Sequence, residues 1–382
     1  MKSKCQTQSI SNRSAVHVED TEKEPALTPT APGSHYYCPE KDGPDEDYET
    51  ACELLSEPPA AAGKNVHGAI MEANLGDTMN HDDENDLQIG SYTQCCYISS
   101  GVTADVFRSG TRALKVITET RDMQPHDHVR EAKILGLVCR QCIPLLETFH
   151  DQEQRFVLVF PYMPLSLDAV LARTDELLSL QRLCSYFVDI FGALAHIHGL
   201  GIIHRDVKPS AFMMASPDGP VLLSDFGTAW HPALSQAVEP ADGKVLDIGT
   251  GPYRAPEALF GNQAYGPSVD MWAAGAMLAE SARRPPSTLF TSRPAHEDGS
   301  QLGLILSIFK TIGTPTAETW PEAASFKTPP FEMYRVFEPP SWEDILPEVN
   351  PHIRALVARL IKYDSTRATA EQALVDILKL AT

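Results

Sequence analysis

The chain has 382 residues, 43% of them hydrophobic, and carries a net charge of −20. That is enough length and apolar content for one large domain or two modest ones with a sizeable core, whereas the acidic balance argues against nucleic acid or an anionic membrane as a partner held by the overall field. Met1 to Val16 has no apolar run of the kind a signal peptide needs, and no uninterrupted apolar span of about 18 residues occurs, so a soluble protein of the cytoplasm, the nucleus or both is expected.

The charge is unevenly spread. Residues 1–90 contain 18 acids and 6 bases, a net of −12, which leaves only −8 for the remainder. This first stretch is rich in Pro, Ser, Thr, Asp and Glu and has little periodic apolar content, so it is expected to be a disordered acidic tail. The eight cysteines lack the dense even spacing of a disulfide scaffold and are expected to be free thiols. Cys139 and Cys142 form a C-x-x-C pair with no second Cys or His pair at a fitting distance, so no zinc site is expected.

From Ser91 the pattern changes. Short strand-like runs at Gln94 to Ile98, Asp105 to Arg108, Ala113 to Ile117 and Phe156 to Phe160 predict a small sheet, with one helix over Asp127 to Val138 packed on it through Val129, Ile134, Leu135 and Val138. After Pro164 the apolar spacing becomes helical: Leu183, Phe187, Ile190, Leu194 and Ile197; Leu302, Ile305, Leu306 and Phe309; Ile353, Leu356, Val357, Leu360 and Ile361. A β-rich segment followed by a helical one predicts an α+β chain with two lobes and a ligand cleft between them.

Four segments occur in a telling order: Ala113-Leu114-Lys115, His204-Arg205-Asp206-Val207-Lys208, Asp225-Phe226-Gly227 and Ala255-Pro256-Glu257. Their order and spacing resemble the eukaryotic protein kinases. The resemblance covers the chain from about Ser91 to its C-terminus and implies a bilobal kinase fold: an N-lobe over 91–160, a hinge over 161–164 and a C-lobe over 165–382. It also implies ATP and Mg²⁺ as cofactors and a protein as substrate. Lys115 would contact the nucleotide phosphates, with Glu131 as its orienting partner. Asp225 would ligate the metal, Asp206 would receive the substrate hydroxyl proton, and Lys208 would steady the γ-phosphate. A lysine at position 208 is the form that serine/threonine kinases use.

The family's scaffold roles fall on Glu257 and Arg367, as a buried ion pair, and on Asp270, as the acid that holds the catalytic-loop backbone. Arg205, Thr250 and Arg254 complete the activation segment and its surroundings. Arg254, together with the segment Phe309 to Pro315, resembles the cyclin-dependent-kinase-like branch, and within it the divergent fungal kinases that activate cyclin-dependent kinases. The candidate substrate is therefore the activation loop of a cyclin-dependent kinase. Gln124 to Val129 does not match the cyclin-binding sequence of the cell-cycle kinases, so a monomer without a cyclin partner is expected. For adenine, Phe160 would guard the back pocket, backbone groups of Pro161 and Met163 would pair with the base, and Val106, Ala113 and Met213 would enclose the ring.

Three departures from the family pattern stand out. The phosphate-covering loop keeps one glycine, Gly101, with Ser99 and Ala104 at the other two positions; these small residues still allow close backbone approach. The asparagine expected five residues after Asp206 is Ala211, and a methyl group cannot ligate Mg²⁺. Two readings stay open on this point: a kinase with slowed or single-metal catalysis, and a pseudokinase that serves as a nucleotide- or partner-binding scaffold. Finally, the phosphorylated threonine expected ten residues before Ala255 is Val245, so either Asp242 or Asp247 offers Arg205 a permanent carboxylate or Arg205 faces solvent.

Overall fold

The computed structural model describes residues 87–119, 123–138, 141–173, 178–292, 301–331 and 335–381. Up to residue 86 the expected disordered tail lies outside the described residues, as does Cys139. Among the described residues no cluster of His, Cys, Asp and Glu could hold a metal ion, and no helix is long and apolar enough to cross a membrane.

The ordered fold begins earlier than Ser91, because Ile89 is fully buried and bridges to Tyr92. Five antiparallel strands follow: β1 (Cys96–Ser100), β2 (Ala104–Ser109), β3 (Arg112–Ile117), β4 (Glu147–His150) and β5 (Phe156–Pro161), in the spatial order β1-β2-β3-β5-β4. The first strand starts two residues later than the apolar run suggested. β4 carried no signal, since Glu147-Thr148-Phe149-His150 holds a single apolar residue, the partly buried Phe149.

Alternation along each strand gives the sheet two apolar faces. Leu114, Val116, Val157 and Val159 form a small cluster with Ile89 and Cys95 on one side. The opposite face carries Ala104, Ile117, Leu158 and Phe160, which join the main core of the protein. Cross-strand pairs Val106 with Lys115 and Ala113 with Phe160 place these four residues on that same face.

Helix α1 (His128–Leu135) starts at Asp127, whose carboxylate accepts from the Arg130 N–H at 2.8 Å. It is shorter than expected, and its inward residues are Arg130, Glu131, Ile134 and Leu135, whereas Val129 is 46% exposed. The helix thus turns two charged side chains inward where the apolar pattern placed a valine.

The second lobe contains α2 (Leu167–Leu171), α3 (Leu180–Gly199), α4 (Pro256–Leu259), α5 (Ser268–Ala282), α6 (Leu302–Ile312), α7 (Trp342–Ile345), α8 (Pro351–Leu360) and α9 (Ala370–Ala381). A three-stranded sheet of β6 (Leu165–Ser166), β7 (Phe212–Met214) and β8 (Leu222–Leu223) lies beside it. The expected apolar stripes of α3 and α8 are all buried. For α6 the stripe is rotated: Leu304, Ile305, Ile308 and Phe309 face inward and Leu302 does not.

Helix α5 is buried around almost its whole circumference, as a helix at the centre of a lobe must be. Gly275 lets it approach the end of α8, because a Cβ there would lie 2.7 Å from Leu360 Cβ and 3.0 Å from Ile361 Cδ1. Gly275→Ala gains about 1 kcal/mol of helix propensity but overpacks this contact at about 1–3 kcal/mol. The expected outcome is a net loss of stability in chemical denaturation, and a gain would show that the two helices separate freely.

Candidate active site

Lys115 projects from β3 to meet α1 and the Asp225-Phe226-Gly227 turn. Its Nζ lies 2.7 Å and 3.0 Å from the two Glu131 carboxylate oxygens and 3.0 Å from Asp225 Oδ1. Glu131 is buried, and Asp225 is half open to the cleft. Burial alone would push the Lys115 ammonium down, but the Asp225 and Glu131 carboxylates outweigh it and hold its pKa well above the ordinary lysine value. In return the Lys115 charge holds the Asp225 carboxyl far below the usual range, so Asp225 is ionised. Gly227 keeps this corner open, because a Cβ there would stand 3.3 Å from Glu131 Oε2 and 3.6 Å from Lys115 Nζ. Its carbonyl accepts from the Asp127 N–H at 3.0 Å, which ties the turn to the start of α1.

The catalytic loop is suspended from α5. Asp270 accepts from the backbone N–H groups of His204 and Arg205, both at 2.8 Å, and its Oδ2 lies 2.9 Å from His198 Nε2. Burial would raise the Asp270 carboxyl, but the His198 contact, the neighbouring His204 ring and the Arg205 N–H hold it below the ordinary value. Beyond the loop, Thr250 donates to Asp206 Oδ1 at 2.6 Å, while Lys208 Nζ donates to Asp206 Oδ2 at 2.6 Å and to Thr250 Oγ1 at 3.2 Å. Asp206, Lys208 and Thr250 therefore form one hydrogen-bonded triangle at the edge of the cleft.

Arg205 contradicts both expectations made for it. It is buried, with a left-handed backbone (φ 70°), and its partner is Glu239 rather than Asp242 or Asp247. Nη1 and Nη2 reach the Glu239 carboxylate at 2.5 Å and 3.1 Å, and Nε donates to the Thr228 carbonyl at 2.5 Å. Asp247 instead pairs with Arg254, whose Nε also donates to the Ile248 carbonyl at 2.6 Å.

One side of the cleft is built from the sheet face described above. Val106 and Ala113 are half-buried on it, as is Met213 on β7, and Phe160 closes the face at the end of β5. Pro161 ends the strand, and Met163 is buried just after it. Ser99 pairs with Val106 beside a bulge in β1, and the Gly101 N–H donates to the Ala104 carbonyl at 2.8 Å, closing the β1–β2 turn.

Ala211 keeps the position counted from Asp206. It ends a short 3₁₀ turn, Pro209–Ala211, with its side chain buried, while Ser210 is exposed. The loop has not shifted to bring a hydroxyl inward. Below it, Arg367 donates to Glu257 at 2.6 Å and 3.2 Å, to the Ser268 and Lys362 carbonyls, and lies over the Trp272 ring. Both members of this pair are buried, so removing either strands a charge.

The sequence reasoning overlooked Arg130, Glu239, Lys244 and Tyr265, which surround Arg205. A visible hint was Arg130 itself, since its neighbour Glu131 already faces inward from α1.

The sequence signature of the protein kinase domain matches residues 98–377. The chain is 32% identical over 294 residues to serine/threonine-protein kinase csk1 of Schizosaccharomyces pombe, spanning 72% of this chain and 90% of that protein. It is 29% identical over 280 residues to serine/threonine-protein kinase CAK1 of Saccharomyces cerevisiae, spanning 61% and 76%. To cyclin-dependent kinase 7 of Carassius auratus the identity is 29% over 297 residues, spanning 74% and 81%. The four motifs, the two-lobed architecture and these matches agree, and the chain belongs to the protein kinase family, beside serine/threonine kinases and cyclin-dependent kinases.

Proposed function

We propose that this kinase transfers the γ-phosphate of ATP to a serine or threonine hydroxyl in the activation segment of a cyclin-dependent kinase, and that it acts as a monomer. The observation that carries the transfer reaction is the contact of Lys115 with both Glu131 and Asp225, which joins the sheet, α1 and the metal-binding turn in one arrangement. A scaffold without chemistry has no need of it. The cyclin-dependent kinase as substrate rests on the resemblance to fungal activating kinases, with the two fungal relatives in support.

Phosphoryl transfer demands positioning and charge neutralisation more than covalent participation by the protein. The fixed ammonium of Lys115 would bind the nonreacting phosphates. Asp206 would orient the incoming hydroxyl and take its proton, exchanging the Thr250 contact for the substrate's. Lys208, already within reach of Asp206, would balance charge on the transferring group. The ionised, half-open carboxylate of Asp225 is the hard oxygen donor that suits Mg²⁺, which when bound neutralises the phosphates. Ala211 supplies no second donor. This absence favours the other reading, a pseudokinase that binds nucleotide or a partner without transfer.

The deciding experiment is γ-phosphate transfer to a panel of inactive cyclin-dependent kinases in Mg²⁺ and in Mn²⁺, with Asp225→Asn and Ala211→Asn in parallel. Transfer by the native chain that disappears in Asp225→Asn is expected. No transfer by the native chain in either metal, with activity gained in Ala211→Asn, would establish the pseudokinase. In the same assay Lys115→Met should lower kcat/KM by about 100-fold or more, the scale of losing one preorganised charge contact in an active site.

A further inference from the structure

Glu239 occupies a place that the reaction outlined above does not use. Its carboxylate is 1% exposed and is shared by two guanidiniums that come from different parts of the fold. Arg205, beside Asp206 in the catalytic loop, donates to it at 2.5 Å and 3.1 Å. Arg130, beside Glu131 on α1, has its Nη1 at 3.6 Å from Glu239 Oε1. A third cation, Lys244, is buried nearby over the rings of Trp230 and Tyr265. Tyr265 also accepts from Arg205 at 3.2 Å and donates to the Val245 carbonyl at 2.6 Å.

Glu239 itself is held from several sides. The Val245 N–H donates to Oε2 at 3.1 Å, and the Trp230 indole N–H donates to the Glu239 carbonyl at 3.0 Å. Such burial makes the carboxylate's position a property of the folded segment, not of a flexible surface side chain. Between Phe226 and Gly249 the only hydroxyl residues are Thr228 and Ser235, and both are buried. Thr228 donates to the His204 carbonyl and Ser235 accepts from the His231 N–H. The segment therefore offers no exposed acceptor for a phosphate that could satisfy the two arginines.

The geometry points to Glu239 as a positioning residue for phosphoryl transfer: a permanent anion that couples α1 to the catalytic loop, and so Glu131 to Asp206, without modification of the segment. The inference rests on the kinase reading above. One neighbour of each charged contact is a residue that the reaction requires: Arg130 precedes Glu131, and Arg205 precedes Asp206. Movement of either guanidinium is passed directly to the backbone that carries them.

Two variants of the full chain test this. Glu239→Gln keeps the shape and removes the charge; Arg130→Met removes the α1 side of the bridge, together with the Arg130 hydrogen bond to the Pro125 carbonyl, and leaves the Arg205 pair. Each is measured for kcat and KM for ATP, and by amide hydrogen exchange at residues 128–135, 204–208 and 235–247. Both variants are expected to lose about 10-fold or more in kcat with a much smaller change in KM, as misplacement of reacting groups requires. Exchange should quicken at 128–135 in both and at 204–208 in Glu239→Gln, with Glu239→Asp recovering part of each loss. Exchange changes confined to 235–247, or kcat unchanged in folded Glu239→Gln or Arg130→Met, would overturn the inference and leave Glu239 with a local structural role. If the native chain shows no transfer at all, it is the kinase reading that fails, and the exchange pattern alone decides whether Glu239 couples the two elements.

Discussion

A buried guanidinium sets the terms for everything around it. Arg205 is buried and in left-handed backbone geometry, so its charge must be answered from inside. An unpaired charge of this kind costs several kcal/mol, and Glu239 answers it with two hydrogen bonds. Burial would raise the Glu239 carboxyl, yet the Arg205 contact outweighs it and keeps the group ionised. With Asp270 holding the Arg205 N–H and Thr228 receiving its Nε, catalytic loop, activation segment and α5 become one unit. Arg130 extends that unit to α1, and through Glu131 to Lys115 and the sheet.

Against this preassembled frame the loss at Ala211 is local. The methyl lies where the family supplies an oxygen, but two short networks persist, Lys115 with Glu131 and Asp225, and Asp206 with Lys208. Catalytic groups held in place before substrate arrives need no reorganisation during the reaction. The arrangement is what a kinase relying on one metal-binding carboxylate would require.

Much of this was legible in the sequence because short motifs encode local geometry. Ala113 and Lys115 fall on one sheet face because strands alternate, and the α3 stripe from Leu183 to Ile197 is buried as its spacing implied. The α6 stripe was misjudged because an apolar run such as Leu302 to Leu306 fits more than one helical phase. The partner of Arg205 was misjudged for a different reason. Counting back from Ala255 reached Val245, and its N–H does touch the Glu239 carboxylate, but the charge enters from earlier in a loop whose path no periodicity describes. The inward turn of Arg130 was equally hidden, since the burial of a charge depends on a partner far away in sequence.

The central claim is that the active arrangement exists without phosphate on the segment from Phe226 to Gly249. The direct measurement is the turnover number of the full chain before and after exhaustive phosphatase treatment, with intact-mass analysis of the 226–249 segment. The account predicts an unmodified segment and an unchanged turnover number. Phosphate on that segment, with turnover that falls as it is removed, would contradict it.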